Sequence, residues 1–238
     1  MAYRCVAESI EGLVQQVAVS YLARGYFFYV TGYVPAGKDP AAVDAKLISK
    51  YRIDVGQKER CRRKRAGTAN LQYIRHGRFF LVLATHGKHL FFDEEAGQVR
   101  DARRLPIRFA GYSLSVRNGR VSVRIEPAEY RRLKAWFLER ACHRSAESLA
   151  ADFAGVRLQP FRPVRVQLLN IWRAVNRARS AAGFDRVPIE SVPWKRRIVK
   201  PFGGAEGREA SETPIKLDPT RPPPPTAAKL RTPLSTAD

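Results

Sequence analysis

The chain has 238 residues and sets 43 Lys and Arg against 22 Asp and Glu, a formal net charge of +21. A fold that repels itself this strongly is destabilised unless an anion neutralises it, and phosphate is the usual partner because each neutralised phosphate releases a condensed counterion. No apolar run reaches the ~20 residues of a membrane span, no signal-peptide pattern opens the chain, and the scattered Cys5, Cys61 and Cys142 form no disulfide framework; the expectation is no membrane partner and a reducing cytoplasm.

Ile10, Leu13, Val14, Val17 and Tyr21 recur at helical spacing and give one apolar face, with Gly25 as the stop. Residues 26–34 read as a strand, rich in aromatic and β-branched side chains. Asp39-Pro40 then supplies an N-cap and a proline at the first helical position. That helix should run to Tyr51 with Val43, Leu47 and Ile48 inward. A basic block occupies 58–65. Thr68 is expected to cap a short helix through Arg75 that ends at Gly77. Residues 78–85 read as a buried strand and 89–92 as its hairpin partner. Two strands, 107–117 and 120–125, flank Asn118-Gly119, whose residues both tolerate the positive φ of a tight hairpin turn. Pro127 opens a helix carrying Tyr130, Leu133, Phe137 and Ala141 at helical spacing, and Ser145 caps another through Phe153. A long helix over 163–182 stops at Gly183. The segments 25–30 and 77–82 resemble each other, the pattern a duplicated helix–strand unit would leave.

The reading is an α+β domain over 1–202, with a mainly antiparallel four- to five-stranded sheet covered by helices. The segment 203–238 is polar and proline-rich, including Pro222 to Pro225, and is expected to be a disordered tail because it buries too little apolar surface to offset its ordering.

The basic block carries Lys58, Arg60, Arg62, Arg63, Lys64 and Arg65 and lies between elements rather than in a tail. Lys195, Arg196 and Arg197 form a second block beside Trp194. On the last hairpin Arg120 and Arg124 share a strand face with Ser122, while Val121, Val123 and Ile125 take the other. On the long helix Arg173, Asn176, Arg177 and Ser180 make a polar stripe, and Arg and Asn are the residue types that read guanine and adenine edges. These fourteen cationic and amide side chains, Ser122 and Ser180 aside, are the candidate nucleic-acid contacts.

Residues 81–92, with Thr85-His86-Gly87-Lys88-His89 at their centre, are similar to the metal-binding strand of the HUH endonucleases. That family includes rolling-circle replication initiators and single-tyrosine transposases. The resemblance implies His86 and His89 as ligands of Mg or Mn, and Tyr130 as the nucleophile on phosphate. In the family one bulky apolar residue separates the histidines. Here Gly87 and Lys88 do, which puts the histidines on opposite faces of an unbroken strand unless a bulge at Gly87 intervenes. Elsewhere Asp93, Glu94 and Glu95 form the main acidic cluster, and Cys142-His143 lacks a second pair at zinc spacing.

The leading expectation is therefore a non-enzymatic, cofactor-free DNA- or RNA-binding protein of a bacterial cytoplasm. The alternative is a metal-dependent nicking nuclease, transposase or replication initiator of a mobile genetic element, using His86, His89 and Tyr130. The third is a basic structural subunit of a ribonucleoprotein.

Overall fold

The computed structural model describes residues 3–196 and 198–202. The expected tail over 203–238, and Arg197, lie outside the described residues. The first apolar face forms α1, Ile10–Gln15, capped by the Ser9 hydroxyl, which accepts from Gly12 N–H. The helix widens into a π-helix over Gln16–Tyr21 and tightens into a 3-10 turn over Leu22–Arg24, and Gly25 ends it at φ 91°. After β1, Phe28–Tyr33, the Asp39 carboxylate accepts from Ala41 and Ala42 N–H and starts α2, Pro40–Lys50. The basic block forms α3, Gln57–Arg65. A hairpin of β2, Leu71–His76, and β3, Phe79–Ala84, turns at Gly77, φ 56°. The short α4, Leu90–Glu94, and β4, Arg100–Asp101, precede β5, Ile107–Phe109, β6, Tyr112–Arg117, and β7, Arg120–Ile125. Three α-helices and a short 3-10 turn, Ile189–Ser191, complete the order: α5, Pro127–Arg140; α6, Ala146–Ala154, capped by Ser145; and α7, Arg162–Ala181, which precedes the turn.

The expected α+β, antiparallel architecture is present, with its strands shared between a four-stranded sheet, β2-β3-β1-β4, and a three-stranded sheet, β5-β6-β7. Successive side chains of a strand point to opposite faces, and β3 uses both. Phe79, Leu81 and Leu83 join the core that holds α1, the three-stranded sheet and α5–α7. Phe80, Val82 and Ala84 join a second core with Val43, Leu47 and Ile48 of α2 and Phe91 of α4. The central strand is thus buried on both sides, which is why its sequence is a continuous apolar run.

Three sequence expectations are corrected. The helix expected from Thr68 to Arg75 is instead largely β2. Leu71 and Tyr73 enter the second core while Ile74 enters the first, so this strand also lacks a polar face. Without alternation, its apolar spacing imitates a helix. The strand expected over 89–92 is instead the cap and body of α4. Both edges of β3 are already occupied by β1 and β2, and Lys88 bonds to Gly67 and Ala69. The strand expected over 107–117 is broken by Ala110-Gly111, at φ 46° and 79°, into β5 and β6. The two similar segments occupy different settings: Gly25 ends a helix and Gly77 turns a hairpin.

Candidate nucleic-acid interface

Arg, Lys, Gln and Glu lose little rotamer freedom in a helix, so Gln57–Arg65 has high local propensity despite its charge. Its four C-terminal cations also sit at the negative end of the helix dipole. The helix buries none of its residues outright. It is tied down by backbone and by its inner side chains. Asn70 Nδ2 donates to Arg60 O at 3.0 Å, and Arg63 Nη1 donates to Arg52 O at 3.1 Å. Arg63 keeps only 12% of its side chain exposed, and the Arg60 Nε is buried without a hydrogen-bond partner. Arg63 therefore helps to hold the helix, and Arg60 is half-buried beside it.

Lys58, Arg62, Lys64 and Arg65 project to solvent. Arg62 grips Glu59 with two hydrogen bonds, 2.8 and 3.0 Å, and this fork is the main reason the Glu59 carboxyl stays below its ordinary pKa. Lys58, Lys64 and Arg65 have no carboxylate partner among the described residues. Beside the helix lies a cleft of about 430 Å³ lined by Arg52, Glu59, Arg62, Arg63, Thr68 and His89.

The three-stranded sheet carries a second cationic surface. Pairing sets Arg117 opposite Arg120, Ser115 opposite Ser122, and Ser113 opposite Arg124, with Arg108 of β5 across from Ser113. Arg120 and Arg124 are exposed, as their alternation with the buried Val123 and Ile125 requires. Arg108 is paired with Glu126 at 3.6 Å.

The remaining candidates divide. Arg173 and Arg177 are exposed on α7. Asn176 is not: it is 7% exposed, its Nδ2 donates to Val187 O at 3.0 Å, and its Oδ1 accepts from Val187 N–H at 2.8 Å. It pins the segment after α7, and its burial keeps the amide away from a base edge. Lys195 and Arg196 are exposed, with the Arg196 guanidinium 4.8 Å above the Phe161 ring. The structure places Arg197 outside the described residues.

His86 is exposed, its ring 6.3 Å from Phe28. His89 caps α4: its Nδ1 accepts from Phe91 N–H at 3.1 Å, and its ring lies 6.4 Å from Tyr51 in the second core. Tyr130 packs against the first core. Two members of the acidic cluster are engaged, Glu94 with Lys50 at 2.7 Å and Glu95 with the Tyr51 hydroxyl at 2.8 Å. Among the described residues no group of three or more His, Cys, Asp or Glu is disposed to hold a metal ion. No helix of the described residues is long and apolar enough to cross a membrane.

Arg103 and Arg104 carry no signal in the sequence. They follow β4 in a segment with no periodicity, and only tertiary pairing gives them a setting. Ala102 N–H donates to Phe27 O at 2.8 Å, and Val116 N–H donates to Ala102 O at 3.1 Å, so the segment bridges the two sheets. Beside it opens a groove of about 690 Å³ whose walls include Phe27, Arg103, Arg104, Arg117, Asn118 and Gly119.

No protein-family model matches the chain, and no curated protein matches it.

Proposed function

We propose that the protein binds nucleic acid, chiefly through its phosphate backbone, with the outward face of α3 as the principal contact and the cationic face of β5–β7 as a supporting one. The observation that carries this reading is α3 itself: six cations and one carboxylate in nine residues, formed as a surface helix that buries none of them. Like charges at i, i+4 oppose such a helix. External phosphates relieve that opposition, and among the described residues Glu59 is the one carboxylate in ion-pair contact with these cations. Arg120, Arg124, Arg173, Arg177, Lys195 and Arg196 extend the same field. The free Cys5, Cys61 and Cys142 fit a reducing compartment, and we read the protein as cytoplasmic and, from its Arg- and Ala-rich composition, bacterial.

The test is a fluorescence-anisotropy titration of a 20-base-pair duplex across a KCl series. With about five phosphate contacts, log affinity should fall against log salt with a slope of about −4.5. Replacing Lys58, Lys64 and Arg65 with alanine should make the slope shallower by about 2.7, near 0.9 for each phosphate no longer neutralised. Salt-independent binding, or a triple variant that binds like the parent, would remove this reading.

A further inference from the structure

The groove at the joint of the two sheets differs from α3 in its chemistry. Arg103 is fixed before any ligand arrives. Its Nε and Nη2 reach the Asp101 carboxylate at 2.7–3.0 Å, and its N–H donates to Asp101 Oδ1 at 2.8 Å. The guanidinium lies 5.0 Å from the Phe27 ring centre and 5.6 Å from that of Phe28. Yet 47% of the side chain remains exposed. A flat cation is thus held over aromatic rings, with surface left open to the groove. Its charge is met by Asp101, whose carboxyl is held below its ordinary pKa mainly by the Arg103 hydrogen bonds.

Arg104 and Arg117 on the same walls are exposed and have no carboxylate partner among the described residues. The groove therefore combines one neutralised, immobilised planar surface with two free cations. A phosphate alone would need only the second feature. A planar ring alone would need only the first. An unpaired nucleotide uses both, because unstacked bases lie on aromatic rings and on guanidinium planes while cations follow the backbone. The volume of about 690 Å³ is within the range of sites for small ligands, and the paired bases of a duplex present no free face to Arg103.

We propose that the groove formed by Phe27, Arg103, Arg104 and Arg117 is a single-strand site, with an unpaired base stacked on the Arg103 guanidinium and flanking phosphates at Arg104 and Arg117. This rests on the nucleic-acid reading and adds to it a preference for unpaired strands. Because Arg103 loses little freedom on binding, its contribution to affinity is not spent on ordering.

The experiment compares a labelled 12-nucleotide strand, as DNA and as RNA, with a 12-base-pair duplex. Arg103→Lys keeps the charge and removes the flat surface. It should lower single-strand affinity about fivefold or more and leave duplex affinity unchanged. The Arg104→Ala, Arg117→Ala double variant should make the single-strand salt slope shallower by about 1.4. Thermal melts of each variant establish that it is folded. A folded double variant with the parent's salt slope, or an Arg103→Lys loss equal for strand and duplex, overturns the single-strand site while leaving duplex binding by α3 intact. A parent chain that binds neither form overturns both readings.

Discussion

Asp44 of α2 and Arg75 of β2 form a buried ion pair, with Arg75 Nε 2.8 and 2.9 Å from the two carboxylate oxygens and Nη2 2.8 Å from Oδ2. Asp44 is the one fully buried side chain of its helix, at 5% exposure, and it also accepts from the Tyr73 hydroxyl at 2.5 Å. Arg75 Nη1 continues to Gly77 O at 2.6 Å, so one carboxylate is linked through one guanidinium to the hairpin turn.

Removing either charge alone strands the other in the protein interior. Asp44→Ala should cost about 3–5 kcal/mol in urea unfolding, because the missing partner leaves Arg75 desolvated and unpaired. The Asp44→Leu, Arg75→Leu double variant should recover most of that loss, since well-packed apolar residues replace buried pairs at little cost. A single variant within about 1 kcal/mol of the parent would show that the pair is not a structural requirement.

His89 makes stability depend on pH. Its pKa is held below the ordinary histidine value, first by burial and second by the positive Arg63. The Nδ1 must be unprotonated to accept from Phe91 N–H. The unfolded chain therefore takes up a proton at a higher pH than the folded chain. This contribution is complete above the ordinary histidine pKa of about 6.5 and is lost progressively as pH falls from there to the lower pKa of the folded state. Urea midpoints should drop between about pH 7.5 and pH 5.5 by more in the parent than in His89→Asn, which keeps a capping acceptor without a titrating ring. Equal drops in the two proteins would remove His89 from the account.

The parts of this fold that were legible in sequence are those decided by short-range chemistry. Asp39-Pro40, Ser145 and Asn118-Gly119 set their own caps and turn, and α5 and α7 show one-sided apolar spacing. Residues 71–76 were not legible, because a strand buried on both faces carries no period-two signal, and only its pairing with β3 decides its form. The interface divides in the same way. The exposure of Arg120 and Arg124 followed from strand alternation. The burial of Asn176 did not, because the backbone of Val187 that consumes its amide lies in an aperiodic segment. Arg103 was invisible for a similar reason: its rigidity depends on Asp101, Phe27 and Phe28 meeting at a bridge between sheets.

Gly87 reports on the junction between β3 and α4. Its φ is 139°, and a Cβ there would lie 2.5 Å from Ala69 N and 2.7 Å from Gly67 O. The neighbouring backbone cannot yield freely, because Lys88 N–H donates to Gly67 O and Lys88 O accepts from Ala69 N–H. Gly87→Ala should therefore lose at least about 2 kcal/mol in a denaturant melt, from backbone strain and steric overlap together. Gly37→Ala is the control. Nothing lies within 4 Å of its added Cβ, and it should stay within about 0.5 kcal/mol of the parent. Similar values for the two would mean that the 67–69 and 86–88 segments are not held together in solution.

Cys61 offers a direct footprint of α3. It is exposed and shares a helical stripe with Lys58, Arg62 and Arg65, at i, i+3, i+4 and i+7 spacing. Cys5 is buried against Asp44, and burial pushes its thiol up to about 11, so it should react slowly at neutral pH. Cys142 is half-buried, its thiol directed at Ala178 O. In the free protein the fastest thiol modification should therefore be at Cys61, and Cys61→Ser should abolish that phase. If phosphates lie along the outward face of α3, a saturating oligonucleotide should slow the Cys61 reaction severalfold and leave Cys5 unchanged. Salt at 1 M should restore the free rate, because the Debye length shrinks to about 3 Å and counterions compete for the helix. The measurement separates direct occupancy from long-range attraction: a protein that binds nucleic acid elsewhere would keep the free Cys61 rate when saturated. That result would move the principal interface off α3, even if the salt slope of binding matched expectation.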